Sequence, residues 1–315
     1  MEPLMLLGVV RRLASVVILL FGVLAVVFIL GQRAPGNPGR QLLGLNAPQD
    51  AVDALNHKLG VDRSLWTQFW SYIGNVLHGD LGRSYSSSEP VNGLIWDRFD
   101  ATAWLLVAGL ALSLILSITL ATLAARYRGT WIDTTIRLFT VTSIAVPTFW
   151  SGLLLVLLVA LPTGWFPVGG FGTTTADHFR SIVLPAVTLA IATAPIQVRV
   201  LRANLLESLG SGYVEAAASR GVPRRRLLTR HALPNAAVPA IAVVSIQAGY
   251  LLFGAVIVEN TFRLPGLGSG LVTAITQRDY PMINGITLLF AVLVISFSLI
   301  GDALSAIVDP RVRVS

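Results

Sequence analysis

The 315-residue chain is 54% hydrophobic and only 12% charged, which is about half the charged share of a typical soluble domain. This composition excludes an ordinary soluble domain and predicts an all-α integral membrane protein. The net charge of +7 does not indicate nucleic-acid binding, because no basic stripe is interleaved with aromatic residues. The absence of cysteine excludes disulfides, thiolate metal sites and a cysteine nucleophile.

Six apolar stretches are long enough to cross a bilayer as transmembrane helices. The first covers residues 13–31, and no small-residue cleavage site follows it, so an uncleaved span is predicted rather than a signal peptide. The other five are predicted at 101–125, 138–161, 181–198, 235–258 and 282–308. Because the number of spans is even, both ends of the chain are expected on one side of the membrane.

Residues 32–100, between the first two spans, are more polar than the rest and are expected to form a small extramembrane module. Apolar periodicity predicts two short amphipathic helices there, at 47–59 and 65–77, and neither is apolar enough to span. The second helix carries four aromatic residues: Trp66, Phe69, Trp70 and Tyr72. These side chains are expected to pack the module onto the membrane-embedded part or to anchor it at the lipid interface.

The distribution of arginine orients the chain. Most arginines lie in the segments 1–12, 126–137, 199–234 and 309–315, whereas the short segments on the other side hold few. Because positive charge in short loops is retained in the cytoplasm, these segments and both termini are predicted to be cytoplasmic. The 32–100 module is then extracytoplasmic.

The stretch 213–234 is polar and basic, and it lies between the fourth and fifth spans. Its alanines at 216–218 favour helix and have small side chains, so another surface can approach them closely. Gly221 supplies a helix stop, and Pro223 suits the start of a second helix. The pattern predicts a helix, a sharp turn and a second helix at the membrane surface. A basic amphipathic segment lying on anionic lipid is the alternative.

This stretch resembles the EAA loop of bacterial ABC importer permeases: Glu215-Ala216-Ala217 is followed after three residues by Gly221, and after nine more by His231-Ala232-Leu233-Pro234. In that family the loop forms a coupling helix that docks into a groove on the ATP-hydrolysing subunit. The resemblance implies a dock shaped by Glu215, Ala216, Ala217 and Gly221. It also implies a polar rim formed by Arg220 and Arg224.

Further segments look like the dipeptide/oligopeptide branch of these permeases. They are Pro35-Gly36-Asn37-Pro38, Gly79-Asp80-Leu81-Gly82-Arg83-Ser84, Phe262-Arg263-Leu264-Pro265-Gly266-Leu267-Gly268, Arg278-Asp279-Tyr280-Pro281 and Asp309-Pro310-Arg311. The similarity covers nearly the whole chain and implies the first of two homologous permease subunits, with the type I importer fold. A five-helix permease core over 101–308 would then contain the cytoplasmic coupling loop 199–234.

The resemblance also implies partners and a location. The expected partners are a homologous second permease subunit, two ATP-binding subunits, an extracytoplasmic substrate-binding protein and the lipid of the bacterial inner membrane. ATP and Mg²⁺ would be bound by the partner subunits, since the only lysine, Lys58, does not lie in a phosphate-binding loop. No cofactor, metal or catalytic site is expected in this chain, which is therefore predicted to be a pore subunit and not an enzyme.

The implied function is translocation of di- or oligopeptides by an ATP-driven importer. Importers of nickel chelates or of glutathione share this branch, so these cargoes remain alternatives. A more distant alternative is a channel or a membrane interaction protein that works without an ATPase.

Two groups of polar residues are candidates for contact with cargo or with a partner. Gln197 and Gln247 lie within or near predicted spans, where they could line the pathway or hydrogen-bond a neighbouring helix. Four charged residues of the module could set the register and association rate of the substrate-binding protein. They are Asp62, Arg63, Asp80 and Arg83. The alternative is that the module is structural.

Overall fold

The computed structural model describes residues 2–33, 37–44, 46–60 and 62–308. Within these ranges the regular secondary structure is helical, and the β-type pairing is an isolated antiparallel bridge between Arg83 and Pro90. The prediction of an all-α membrane protein is confirmed. The helices agree with the predicted pair in the module, which the structure places at 49–59 and 65–77.

The helices in chain order are α1 (Glu2–Arg33), α2 (Pro38–Leu43), α3 (Gln49–Leu59), α4 (Leu65–Leu77), α5 (Val91–Arg126), α6 (Trp131–Ala145), α7 (Thr148–Leu155), α8 (Leu161–Thr163), α9 (Thr175–Leu209), α10 (Gly212–Ser219), α11 (Arg224–Arg226), α12 (Leu233–Thr261), α13 (Leu267–Gln277) and α14 (Tyr280–Val308). A π-helical turn at Val156–Ala160 joins α7 to α8, and another at Leu227–Ala232 joins α11 to α12. The predicted order of a helix, a turn and a second helix after residue 211 is therefore observed.

Four helices of the described chain are long and apolar enough to cross a membrane by themselves. They are α5, α9, the Pro239–Thr261 part of α12 and the Tyr280–Ser305 part of α14. These helices match the second, fourth, fifth and sixth predicted spans. α5 begins at Val91, so its first turns belong to the stretch 32–100. The first predicted span lies within α1, whose described apolar part is Ala14–Ile29.

The third predicted span, 138–161, is not one continuous helix, and this part of the prediction is wrong. α6 ends at Ala145 and α7 begins at Thr148, with a bend of 109° between the two halves. Pro147 explains the break, because proline has no N–H to donate and its ring disfavours helical geometry in the preceding residue. Val146 accordingly has extended backbone angles, φ −88° and ψ 126°.

One of two compact units comprises Ala101–Gly268 together with the residues from Ser296. α9 is the most buried of its apolar helices and packs against α6, α7 and α12. Leu189 of α9 is fully buried next to glycines of α5 and α12: a Cβ at Gly109 would lie 2.7 Å, and one at Gly254 2.8 Å, from its methyl groups. Small residues at such contacts allow membrane helices to approach closely.

The other unit comprises the residues up to Asp100 together with Ser269–Ile295. Asp279 is buried and fixes the loop at 84–86: its carboxylate accepts hydrogen bonds from the hydroxyl of Ser84, the N–H of Tyr85 at 3.1 Å and the hydroxyl of Ser86 at 2.8 Å. Burial and the neighbouring Asp279 carboxylate raise the pKa of Tyr85. Two segments that carry the family resemblance, 79–84 and 278–281, therefore meet at one buried acid.

Candidate coupling site

α10 ends in a hydrogen-bonded turn at Gly221. The N–H of Gly221 donates to the carbonyl of Ala218 at 2.9 Å, and the N–H of Val222 donates to the carbonyl of Ala217 at 3.3 Å. This pair of bonds is a Schellman motif, which needs a residue in the left-handed conformation after the helix. Gly221 has φ +81°. The predicted helix stop at Gly221 is observed, and it fixes where α10 ends.

The two sides of α10 differ in burial. Its inner side contributes to an apolar cluster of Val214, Ala217 and Leu227, with Leu209 and Val222 packed against it. Its outer side is exposed and carries the small residues Gly212, Ala216 and Ser219, which lie on one face because they are four and three residues apart. Glu215 is exposed in the first turn. Ala217 thus supports the helix from within, whereas Glu215 and Ala216 are available to a partner.

Side-chain hydrogen bonds tie α10 to the start of α12. Nδ2 of Asn235 donates to the hydroxyl oxygen of Tyr213 at 3.0 Å and to the carbonyl oxygen of His231 at 2.8 Å. The Tyr213 hydroxyl also lies 3.5 Å from that carbonyl oxygen. These residues fasten the first turn of α10, as the Schellman turn fastens its last. The pair of Tyr213 and Asn235 was not predictable from the sequence, because only the fold brings the two residues together.

The two arginines of the predicted rim have different surroundings. Nε of Arg220 donates to the carbonyl of Ala216 at 3.1 Å, so it satisfies one of the free carbonyls at the C-terminal end of α10. Arg224 is exposed at the start of α11. It lines a hollow together with Ala125, Arg126, Leu209, Arg225 and Leu228. The exposed positive charge around this hollow therefore includes Arg126 and Arg225, which the sequence did not single out as site residues.

A buried ion pair joins α6 to α9 at the start of the coupling loop. The carboxylate of Asp133 is 2% exposed and accepts two hydrogen bonds from Arg202, from Nε at 2.9 Å and from Nη2 at 2.8 Å. The N–H of Gly129 donates to the same carboxylate at 3.2 Å. Bidentate pairs of this kind hold a defined geometry. This contact was not predictable from the sequence, since its partners lie 69 residues apart.

The four charged candidates of the module do not form one cluster. Asp62 and Arg63 precede α4 and Asp80 and Arg83 follow it, so they lie at opposite ends of a 13-residue helix, roughly 20 Å long. Their side chains also have local partners. Asp62 is 2.6 Å from Nδ1 of His57, and this hydrogen bond lowers the pKa of Asp62. Arg83 donates to the carbonyl of Ser88 at 2.6 and 3.0 Å, and Asp80 accepts from the N–H of Gly82 at 2.9 Å.

Both glutamine candidates are buried in the helices that pack most closely. Gln247 of α12 is 6% exposed, and its Nε2 lies 3.5 Å from the carbonyl oxygen of Thr193 in α9. Gln197 of α9 is 3% exposed, and its amide group has no hydrogen-bond partner within the described part of the chain. A buried amide without a partner costs free energy, so Gln197 is unusual for a residue that only packs.

Another buried polar residue, Glu259 of α12, was not singled out from the sequence. Its carboxylate accepts a hydrogen bond from the hydroxyl of Thr102 at 2.7 Å, and that hydroxyl oxygen accepts one from the N–H of Leu267 at 2.8 Å. Gly266 lies directly against the acid, because a Cβ there would be 2.3 Å from Cδ of Glu259. The segment 262–268, which carries part of the family resemblance, therefore wraps around a fully buried carboxylate.

Comparison with known families identifies the chain. The family model described as "Binding-protein-dependent transport system inner membrane component" matches residues 96–314. The chain belongs to this permease family. The corresponding N-terminal model matches residues 5–106. The permease is 35% identical to the glutathione transport system permease protein GsiC of Escherichia coli over 305 residues, 97% of this chain and 98% of that protein. Its identity to GsiC of Shigella dysenteriae is 34% with the same coverage.

Solved structures share the fold of the permease. A structure of the MetNI methionine ABC transporter in inward-facing conformations has a TM-score of 0.58 at 17% identity, and the match covers 69% of this chain and 96% of that chain. A crystal structure of an amino acid ABC transporter with histidines has a TM-score of 0.52 at 16% identity, covering 68% and 94%. At these identities the likeness shows the fold alone, and it confirms the predicted type I importer permease fold.

The family assignment confirms the resemblance on which the functional prediction rests. The permease is a multi-pass inner-membrane subunit of a binding-protein-dependent importer, and the alternative of a channel independent of ATP is set aside. Of the segments that carried the resemblance, residues 35–36 and 309–311 lie outside the described part of the chain.

Proposed function

We propose that this permease translocates di- or oligopeptides and that α10 couples its spans to an ATP-hydrolysing partner. The observation that carries the proposal is the arrangement of α10 itself. One face of the helix is buried, the other presents small side chains, and the end is closed by the turn at Gly221. A helix of this kind is stiff and closely approachable, and docking into a groove requires both properties.

Two contacts connect α10 to the spans, and a third joins two of the helices next to it. The apolar cluster joins it to the end of α9 through Leu209. The hydrogen bond between Tyr213 and Asn235 joins it to α12. The pair of Asp133 and Arg202 joins α9 to α6. A partner can shift the pore between inward- and outward-facing states only if its ATP-bound form favours one of them, and stiff contacts preserve that bias over distance.

The proposed assembly contains two ATP-binding subunits, a homologous second permease and an extracytoplasmic substrate-binding protein. ATP and Mg²⁺ are bound by the ATP-binding subunits, which contact Glu215, Ala216 and Arg224 of this chain. The arginine distribution supports a cytoplasmic location for both termini and for α10. Gln197 and Gln247 remain candidates for the translocation pathway.

Peptide cargo is supported by the segments typical of the dipeptide/oligopeptide branch. Glutathione, itself a tripeptide, is a second candidate because the GsiC relatives are named for glutathione transport. Both cargoes place an amide backbone and charged ends in the pathway, so they call for the same kind of pore.

Reconstitution of the complete complex in proteoliposomes tests the proposed function. The expected result is uptake of a labelled dipeptide or oligopeptide that requires both ATP and the binding protein. Uptake of glutathione without uptake of other peptides would select the second candidate. Ion conductance by this chain in the absence of the ATP-binding subunits would contradict both.

A further inference from the structure

α4 has an exposed apolar stripe along one side. The stripe consists of Trp66, Trp70 and Leu77, whose exposed fractions are 69%, 49% and 80%. These residues are four and seven positions apart, so they lie on one face of the helix. The next face round the helix is buried and contains Phe69 and Ile73. Large apolar side chains in such a row are too exposed for a surface that meets only water.

A neighbouring side of the same helix is polar. Thr67, Ser71 and Asn75 are exposed and follow one another at intervals of four residues. α4 is therefore amphipathic, and its unit buries only part of the apolar surface. An exposed apolar patch of this kind marks a surface that meets something apolar outside this unit.

Aromatic contacts fix α4 alongside α1. The ring of Phe69 is 5.6 Å from that of Phe21 and 5.3 Å from that of Phe28, and the contacts are edge-to-face. The ring of Trp70 is 6.3 Å from that of Phe21. The two phenylalanines of α1 are two turns apart and both meet the ring of Phe69, so this turn of α4 packs against the stretch of α1 between them.

The contacted part of α1 lies deep in its apolar segment. This segment runs over 13–31 in the sequence, and its described part is Ala14–Ile29. Measured along the helix from Gly31, Phe28 lies at about 5 Å and Phe21 at about 15 Å. The second distance is close to half the hydrocarbon thickness of a bilayer, about 15 Å. A helix that contacts both residues is therefore at membrane depth.

We infer that α4 is embedded in one leaflet of the bilayer and that its exposed stripe contacts lipid. The lipid-facing surface is continuous, because Phe21 of α1 is itself 43% exposed next to Trp70, and Val17 and Ile18 of α1 are exposed as well. A water-soluble partner protein meets the membrane only at its surface, whereas acyl chains reach the depth of Phe21.

Spin labels at single introduced cysteines test the inference in the assembled transporter in lipid nanodiscs. The absence of native cysteine in this chain permits labels at positions 66, 70 and 77 on the stripe and at 67, 71 and 75 on the polar side. Trp66→Cys, Trp70→Cys and Leu77→Cys are expected to collide more often with oxygen, which concentrates in lipid, than with a water-soluble nickel chelate. Thr67→Cys, Ser71→Cys and Asn75→Cys are expected to show the opposite order.

Two results would overturn the inference. More frequent collisions with the nickel chelate at the stripe would place it in water, and rare collisions with both reagents would mean that protein covers it. Leu77→Cys and Asn75→Cys form a matched pair near the end of the helix that does not remove a tryptophan. Their difference therefore stands even if either tryptophan variant fails to assemble.

Discussion

Replacement of Gly221 tests whether the closed turn of α10 is needed for coupling. A Cβ at this position would meet no atom within 4 Å, so the cost of a larger residue is that of the backbone conformation alone. The left-handed conformation at φ +81° costs a residue with a Cβ about 1–2 kcal/mol. This free energy changes the ratio of closed to open turns by a factor of about 5 to 30.

We expect Gly221→Val to lower peptide uptake per ATP hydrolysed, because the open turn no longer holds α10 in one orientation. Gly221→Asn is the matched control, since asparagine adopts the left-handed conformation more readily, and its uptake should be closer to that of the unaltered protein. The assays are uptake and ATPase activity of the same proteoliposome preparation. Membrane insertion and thermal unfolding should change little. Normal uptake by Gly221→Val at normal expression would refute the reasoning.

Three further predictions concern buried polar sites. Asp133→Ala should lower the free energy of unfolding in detergent by about 3 kcal/mol, since it leaves a partly buried arginine unpaired. Arg137→Ala should lower it by less than about 1 kcal/mol, because the Arg137 side chain is exposed and its Nε lies 3.8 Å from the Asp133 carboxylate. Gly266→Ala should lower the free energy of unfolding by about 1–3 kcal/mol, because its new methyl group crowds the buried acid of α12. Gly210→Ala should be tolerated, since a Cβ there meets other atoms only at 3.7 Å. Gln197→Leu should leave stability unchanged or raise it by about 1–3 kcal/mol, while uptake falls.

Each of these predictions has a contradicting result. Equal losses for Asp133→Ala and Arg137→Ala would mean that the ion pair is not a fixed contact. Equal tolerance of alanine at Gly266 and Gly210 would contradict close packing around the acid. For Gln197→Leu, unchanged uptake would remove this residue from the pathway, and a large loss of stability would show that its amide has a structural partner.

Features encoded within a few residues of the chain were predictable from the sequence. The run of apolar residues locates α5, α9, α12 and α14, since a bilayer demands a minimum apolar length of any span. Gly221 locates the end of α10, because the preference for left-handed geometry belongs to the residue itself. The helix bounds of α4 were predicted for the same local reason.

The effect of a proline on its helix depends on the surrounding helices. Pro185 and Pro195 lie inside α9, which continues through both, whereas Pro147 separates α6 from α7. α9 is enclosed by other helices, and 72% of its most apolar 18-residue stretch is buried. Neighbouring groups can satisfy the carbonyls that proline frees in such a setting. The same residue type thus has two outcomes, and the surroundings that decide between them are not visible in the flanking sequence.

The contacts that stiffen the candidate site were also beyond the sequence. Asp133 with Arg202, and Tyr213 with Asn235, are brought together by the packing of helices that are distant along the chain. Glu259 follows an apolar run near the end of a span, a position that suits a solvated acid equally well, and only the fold shows that it is buried.

Chemical cross-linking tests the central claim, that α10 docks on the ATP-binding subunit, most directly. Ala216→Cys places a thiol on the outer face of α10, and Thr130→Cys places a control thiol on another exposed segment that is predicted to be cytoplasmic. With a short bifunctional reagent in the purified complex, we expect Ala216→Cys to form an adduct with the ATP-binding subunit in a yield that changes with bound nucleotide, and Thr130→Cys to form little. Equal yields at the two positions, or no adduct at Ala216→Cys, would contradict the account.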